Sequence, residues 1–237
     1  AKTGSNVRIL YVAHNSEMVK SIRQRFEILF SDDLMTLSDS VVFEVKTLSE
    51  LSRSRLEVDD DSVIDTDADE AKKYQLAVVK RALETALQRN LKVVEETPIL
   101  RVIRDDEYLK EVFAVMLVSE ISLSIKGQGL QQNKRRYVES EKALSRLHGV
   151  LPGAAREFVF EVFESYHQEV FEEYSLLDSD DLAISLLGNL RTPIWDLRRT
   201  SEGYDFIFVD ETHLVKENER RGFPFLCKSF GYVTVVH

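Results

Sequence analysis

The stretch "YDFIFVDETHLVKEN", residues 204–218, decides how the rest of the chain is read. Four apolar residues, Phe206 to Val209, end abruptly in Asp210 and Glu211. A short apolar run of this kind is a strand covered on both faces. Acidic residues at its carboxyl end stand where open α/β sheets bind their ligands. Asp210 offers a hard oxygen suited to Mg²⁺, and Glu211 is placed to orient or deprotonate a water. The competing interpretation is a pair of exposed acids that open a helix and complement its dipole. His213 divides evenly between a group that senses a phosphate and a surface histidine in a first helical turn. A metal site built from Asp210, Glu211 and His213 together is a further option.

Working outward, "NVRILYVAHNSEMVKSIRQRF" predicts strand, turn and helix. Ile9 to Ala13 is a near-continuous apolar run with one aromatic, and Ser16 is the expected helix cap. Val19, Ile22, Phe26 and Leu29 share a helix face by spacing. "VVFEVKTL", 41–48, predicts a second strand with Thr47-Leu48-Ser49 at its exit. The acidic run "EVDDDSVIDTDADE", 57–70, is a solvated connection between structured regions.

From about Asp69 to Tyr174 helical periodicity takes over. One stripe carries Tyr74, Val78, Ala82, Leu83 and Ala86. A second carries Leu109, Val112, Phe113, Met116 and Ile121, with Asp105 or Asp106 as the cap. A third carries Val159, Phe163, Tyr166, Val170 and Tyr174, a packing face rather than a base-stacking surface. Gly127, Gly129, Gly149 and Gly153 mark joints. After "LLDSDDLAISLLGNL", an acidic turn into an apolar helix, come the strand at 206–209, a helix and turn limited by Pro224, and a last strand-like run, "GYVTVVH". Strands separated by helices imply parallel crossovers. The expected architecture is therefore an α/β core of about four parallel strands, residues 1–68 and 176–237, interrupted by a helical insertion at 69–175.

Composition narrows the class. The 237 residues are 43% apolar and 30% charged, with a net charge of -10 and a single cysteine, Cys227. That excludes an intrachain disulfide and a cysteine-rich zinc site, and a reducing, cytoplasmic setting is expected. No apolar run approaches the roughly 20 residues of a membrane span, so no membrane association is expected. The acidic balance argues against wholesale phosphate gripping but leaves room for a local groove. No G-x-x-x-x-G-K-[ST] phosphate loop is present. Lys2-Thr3-Gly4 reads as the end of a helix that would follow such a loop.

In their order, these segments resemble the first motor domain of a UvrD/Rep-like superfamily 1 helicase. "RILYVAHNSEMVKSIRQRF" resembles the motif that follows the Walker A helix, and "FEVKTLSEL" the next one. "SEISLSIKGQGLQQNKRRYV" and "AREFVFEVFESYHQEVFEEYSLLDSDDLA" resemble the helical insertion and its acidic return, and "YDFIFVDETHL" resembles motif II. The resemblance implies a partial RecA-like core and an ATP-dependent translocase acting on single-stranded DNA, with RNA the other option. It implies Mg²⁺ with ATP as cofactor, Asp210 as the metal-holding residue and Glu211 as the catalytic base. His213 would couple the nucleotide to the strand, while His14, Asn15, Thr47 and Ser49 would line the single-strand path. Two positions depart from the family: His213 stands where Gln is usual, and Ser49 where His is usual. The chain corresponds to an internal part of that motor, with the remainder of the helicase as its partner, and is not expected to hydrolyse ATP efficiently by itself. The alternative expectation is a non-catalytic, helicase-derived interaction module.

Overall fold

Leu10 and Val12 point to one face of a sheet, and Tyr11 and Ala13 to the other. This alternation within β1 (Val7–Ala13) explains why its sequence is apolar almost throughout. In the computed structural model of the chain, which describes residues 7–30, 41–59, 62–64, 69–173, 175–229 and 233–235, β1 is an inner strand of a four-stranded sheet. The order is β2 (Val41–Thr47), β1, β3 (Phe206–Val209), β4 (Val233–Val235), and every pairing is parallel. The register sets Ala13 opposite Thr47 and Val12 opposite Val209. Residues 2–4, Tyr174 and His237 lie outside the described residues.

On one face Leu10, Val12, Ile207 and Val209 pack with Leu51, Leu190, Trp195, Phe223 and Leu226. On the other, Ala13 and Val45 pack with Val19 of α1 (Ser16–Phe30), flanked by Tyr11, Met18, Ile22 and Phe43. Phe26 reaches Phe43 with ring centroids 4.3 Å apart. The cap of α1 is Asn15, not Ser16: the Asn15 Oδ1 accepts the Met18 amide at 2.8 Å. Ser16 is already the first helical residue, so the cap has to come one residue earlier. Helix α2 (Leu48–Leu56) follows β2 with no loop between them and ends at Glu57 in the left-handed conformation, φ 54°.

The chain divides into two compact units, 1–58 with 182–237, and 59–181. The expected cuts lay instead at 68/69 and 175/176. In the second unit the regular elements among the described residues are helices: α3 (Asp69–Arg89), α4 (Leu91–Glu96), α5 (Pro98–Asp105), α6 (Glu107–Glu120), α7 (Lys134–Val138), α8 (Arg146–Val150) and α9 (Gly153–His167). π-Helical turns extend α6 over Ile121–Lys126 and α9 over Gln168–Glu173. The core of this unit collects Val78, Leu83, Leu100, Phe113, Leu117, Phe158, Phe160 and Phe163 among others. Asp106 caps α6, its Oδ1 accepting the Leu109 amide at 3.0 Å.

The α6 stripe requires correction. Phe113 and Ile121 are buried, but Val112 and Met116 are exposed, and the inward face runs through Phe113, Ala114, Leu117 and Glu120. The sequence "EVFAVMLV" is apolar nearly all round, so several stripes satisfy helical spacing and the pattern alone does not choose between them.

The return to the sheet runs through α10 (Ser179–Leu190), inside which the division at 181/182 falls, and α11 (Pro193–Glu202). After β3 come α12 (Glu217–Arg220) and α13 (Phe223–Leu226), with Pro224 in the first turn of α13, where its missing N–H costs no helix bond. The Trp195 indole donates to the Phe225 carbonyl at 2.7 Å, and the buried Arg199 donates to the carbonyls of Cys227 and Pro224. Among the described residues no helix is long and apolar enough to cross a membrane.

Candidate functional site

Parallel strands place their carboxyl ends on one edge of the sheet. β1 gives way there to His14 and Asn15, β2 to Thr47 and Ser49, and β3 to Asp210 and Glu211. The sheet order therefore puts the exits of three neighbouring strands side by side, with β1 in the middle. This is the edge at which open α/β sheets bind ligands.

Asp210 is still held by the ladder, since its amide donates to the Val12 carbonyl at 3.0 Å. Glu211 is not. It adopts φ 47°, ψ 49°, a left-handed conformation that costs a non-glycine residue about 1–2 kcal/mol. Its amide turns back to the Asp210 Oδ1 at 2.9 Å, and the chain then enters a 3₁₀ turn, Thr212–Leu214. Asp210 is half-buried and Glu211 exposed. The His213 Nδ1 lies 3.2 Å from the Glu211 Oε2, a contact that is an ion pair only when the imidazole is protonated. Both side chains are open to water, so the contact contributes little to stability. It does restrict where the Glu211 carboxylate points.

Tyr11 was not recognised in the sequence as a site residue. It stands opposite Phe208 in the β1–β3 ladder, and its pKa is raised by burial and by the nearby Asp210 and Glu211 charges.

Two of the remaining strand-exit residues, Asn15 and Thr47, have structural duties. Asn15 caps α1 through its carbonyl oxygen. Thr47 is buried, and its Oγ1 accepts the Glu50 amide at 3.0 Å while the Glu50 Oε2 accepts the Thr47 amide at 2.9 Å. That reciprocal capping box is written in the sequence as Thr-x-x-Glu, and it is the reason Glu50 stands where no ligand-binding role suggested itself. Ser49 is half-buried in the first turn of α2, and His14 is exposed.

Among the described residues no three His, Cys, Asp or Glu side chains are arranged to hold a metal ion. Asp210, Glu211 and His213 thus do not form a protein-built cage. A single oxygen donor at a strand end does suit Mg²⁺, which keeps most of its waters and completes its shell with phosphate oxygens. The residues present fit that mode.

A second concentration of ionisable groups lies within 59–181. The buried Lys126 ammonium sits 2.6 Å from the Asp178 Oδ2 and 2.8 Å from the Asp181 Oδ2. The Tyr166 hydroxyl donates to Asp178 at 3.1 Å, and the two aspartates cross-cap the start of α10 through Asp178 N to Asp181 (3.2 Å) and Asp181 N to Asp178 (2.9 Å). Burial lowers the Lys126 pKa, but the two carboxylates outweigh it and the net shift is upward. Burial also pushes on both carboxyls. Lys126 overcomes it at Asp178, whose pKa is lowered, whereas the charge of Asp178 adds to it at Asp181, whose pKa is raised. Sequence reasoning missed this cluster, although Asp178-x-x-Asp181 has the spacing of a reciprocal cap.

No protein-family model matches the chain, and no curated protein matches it.

Proposed function

We propose that the sheet belongs to a partial RecA-like core, and that Asp210 and Glu211 are the magnesium-holding and water-activating carboxylates of an ATP-driven motor on single-stranded nucleic acid. The observation that carries the proposal is the pair's position: it ends β3, an inner strand of a parallel sheet, beside the exits of β1 and β2. The ordered likeness of the segments to a UvrD/Rep-like motor domain supports it.

In this reading Asp210 holds Mg²⁺, which neutralises phosphate charge when bound. Glu211, turned out of the strand by its left-handed backbone, takes a proton from the attacking water. His213, in contact with Glu211, links the nucleotide edge to the strand path. The exposed His14 and the strand-exit residues Asn15, Thr47 and Ser49 offer dipolar contacts to phosphates, which carry no base sequence and need no strongly basic surface. The setting is cytoplasmic, the preferred strand is DNA, and the partners are that strand and the rest of the motor. Phosphate affinity in such folds comes chiefly from a glycine-rich loop and its lysine, and the 237 residues contain none.

The test is ATP hydrolysis by the protein that includes such a loop, measured with and without single-stranded DNA. Stimulation of at least several-fold by the strand supports a motor. Absence of any strand-dependent hydrolysis supports the alternative, an interaction module that keeps the shape without the chemistry.

A further inference from the structure

The outward face of α6 carries no charge over most of its length. After Glu107, its exposed residues are Tyr108, Val112, Val115, Met116 and Ser119, and Leu123 continues them in the π-helical extension. Steps of three and four residues link these six along one stripe of the helix. Between Val112 and Ile125 the sequence has a single charged residue, Glu120, and it is buried. Tyr108 is 74% exposed, Leu123 56% and Val115 53%. Elsewhere among the described residues, exposed large apolar side chains stand singly or in pairs on their elements, as surface residues commonly do. Five on one helix face form a contiguous patch, the mark of a surface that docks.

The spacing of the stripe selects its occupant. The positions 108, 112, 115, 116, 119 and 123 read the same from either end. Lay a second α6 antiparallel on the first, about a two-fold axis between 115 and 116. Tyr108 then meets Leu123, Val112 meets Ser119 and Val115 meets Met116, each pair occurring twice, as an isologous contact requires. Charge favours the same direction. Glu107, Lys110 and Glu111 crowd one end of α6, so an antiparallel partner brings its uncharged end against them. A parallel partner sets Glu107 and Glu111 beside their own copies, where like charges repel. The exposed parts of the five large side chains amount to roughly 450 Å² per copy, hence about 900 Å² for a pair before the rim is counted, the size of a weak, reversible association rather than of a permanent dimer.

We propose that the α6 stripe is a self-association surface, on which a second copy of this chain docks its own α6 antiparallel to form a reversible dimer. The proposal is independent of the roles given to Asp210 and Glu211. The net charge of -10 opposes association of like copies, and salt at about 0.15 M screens that repulsion beyond roughly 8 Å.

The experiment is sedimentation velocity of the 237-residue chain at that salt, from about 1 to about 200 µM, the range in which an interface of this size associates. Four variants are compared with the unsubstituted chain: Val112→Lys, Ser119→Glu, the two together, and Leu197→Lys, which changes an exposed apolar residue of α11 outside the stripe. All three positions are exposed, and circular dichroism melting checks that each variant folds as the unsubstituted chain does. The unsubstituted chain is expected to dimerise in this range. Val112→Lys and Ser119→Glu should each weaken the dimer by at least about tenfold, because each puts an unpaired charge into an apolar contact. Val112→Lys lowers the net negative charge, so its effect cannot come from general repulsion. In the double variant each new ammonium faces a new carboxylate of the other copy, and affinity should return to within about threefold of the unsubstituted chain. Leu197→Lys should change nothing. A chain that stays monomeric at about 200 µM overturns the proposal. So does a dimer that neither single substitution weakens, because its contact lies elsewhere, and so does an equal loss in Leu197→Lys. Single losses without recovery in the double variant overturn the antiparallel pairing, and the proposal with it.

Discussion

The Lys126 Nζ lies 2.6 Å from the Asp178 Oδ2, and neither side chain is more than 4% exposed. Asp181 shares the same ammonium, so one cation serves two buried carboxylates. Removing it leaves the ionised Asp178 without a counter-charge, and Asp181 as well at a pH where it is ionised. Lys126→Met is expected to cost about 3–5 kcal/mol, the usual loss when one partner of a buried pair is deleted. Urea unfolding followed by circular dichroism reads this directly, and a loss under 1 kcal/mol would show that water reaches the cluster.

The same cluster sets a pH dependence. Burial and the charge of Asp178 push the Asp181 carboxyl up to about 7 from its ordinary 3.8. A raised carboxyl contributes stability that is full below its ordinary pKa and is lost as pH rises through the raised one. Asp178 behaves oppositely: its pKa is lowered to about 2, so its contribution is present above 3.8 and lost as pH falls toward 2. Between about pH 4 and 7 unfolding free energy should therefore fall with pH, by up to about 1.4 kcal/mol per pH unit for one linked proton. Asp181→Asn should flatten that slope and leave the protein more stable than the unsubstituted chain at pH 8. An unchanged slope in the variant would assign the dependence to other groups.

On α6 the corrected face makes a sharp contrast. Phe113→Ala should cost about 3–5 kcal/mol, while Met116→Gln, one turn away on the exposed side, should stay within about 0.5 kcal/mol. Thermal unfolding of the two variants side by side decides it. Equal losses would restore the stripe that includes Met116.

How much of this was legible depended on whether the signal was local. The strands at 9–13 and 206–209 announced themselves, because a strand covered on both faces must be apolar at every position. The stripes through Val78 and Ala82 and through Val159 and Phe163 were legible because every described member of them falls on a buried face, although that face is wider and takes in Val79, Phe158, Phe160 and Val162 as well. The α6 stripe was not, since Val112, Phe113, Met116 and Leu117 are all apolar and only the packed neighbours choose among them. The Asp210–Glu211 pair was visible as residues. The nearness of Tyr11 was not, because it depends on a register between strands far apart in the sequence. Lys126 and its aspartates are separated in the same way. The Thr47–Glu50 box was the opposite case, a local pattern present in the sequence and passed over.

That box separates stability from strand contact at Thr47. Glu50→Ala removes half of the reciprocal cap and should cost roughly 0.5–2 kcal/mol, as cap losses do, while leaving single-strand affinity unchanged. Thr47→Ser keeps a hydroxyl in place and should preserve both. Thr47→Val removes the hydroxyl at similar volume and should weaken both. Fluorescence anisotropy with a labelled oligonucleotide, paired with thermal unfolding, measures the two effects. Strand affinity that tracks stability in every variant would reduce Thr47 to a helix cap.

The most direct measurement is the single-strand-stimulated ATPase rate of Glu211→Gln in the protein that includes the phosphate-binding loop. The substitution keeps the shape of the side chain and removes the base. ATP should still bind, while hydrolysis falls by roughly 10²–10⁴-fold, the usual contribution of a general base. Asp210→Asn, measured alongside, should also raise the Mg²⁺ concentration needed for half-maximal rate. Near-normal stimulated hydrolysis in both variants would contradict the account and leave Asp210 and Glu211 as no more than a charged turn at the end of a strand.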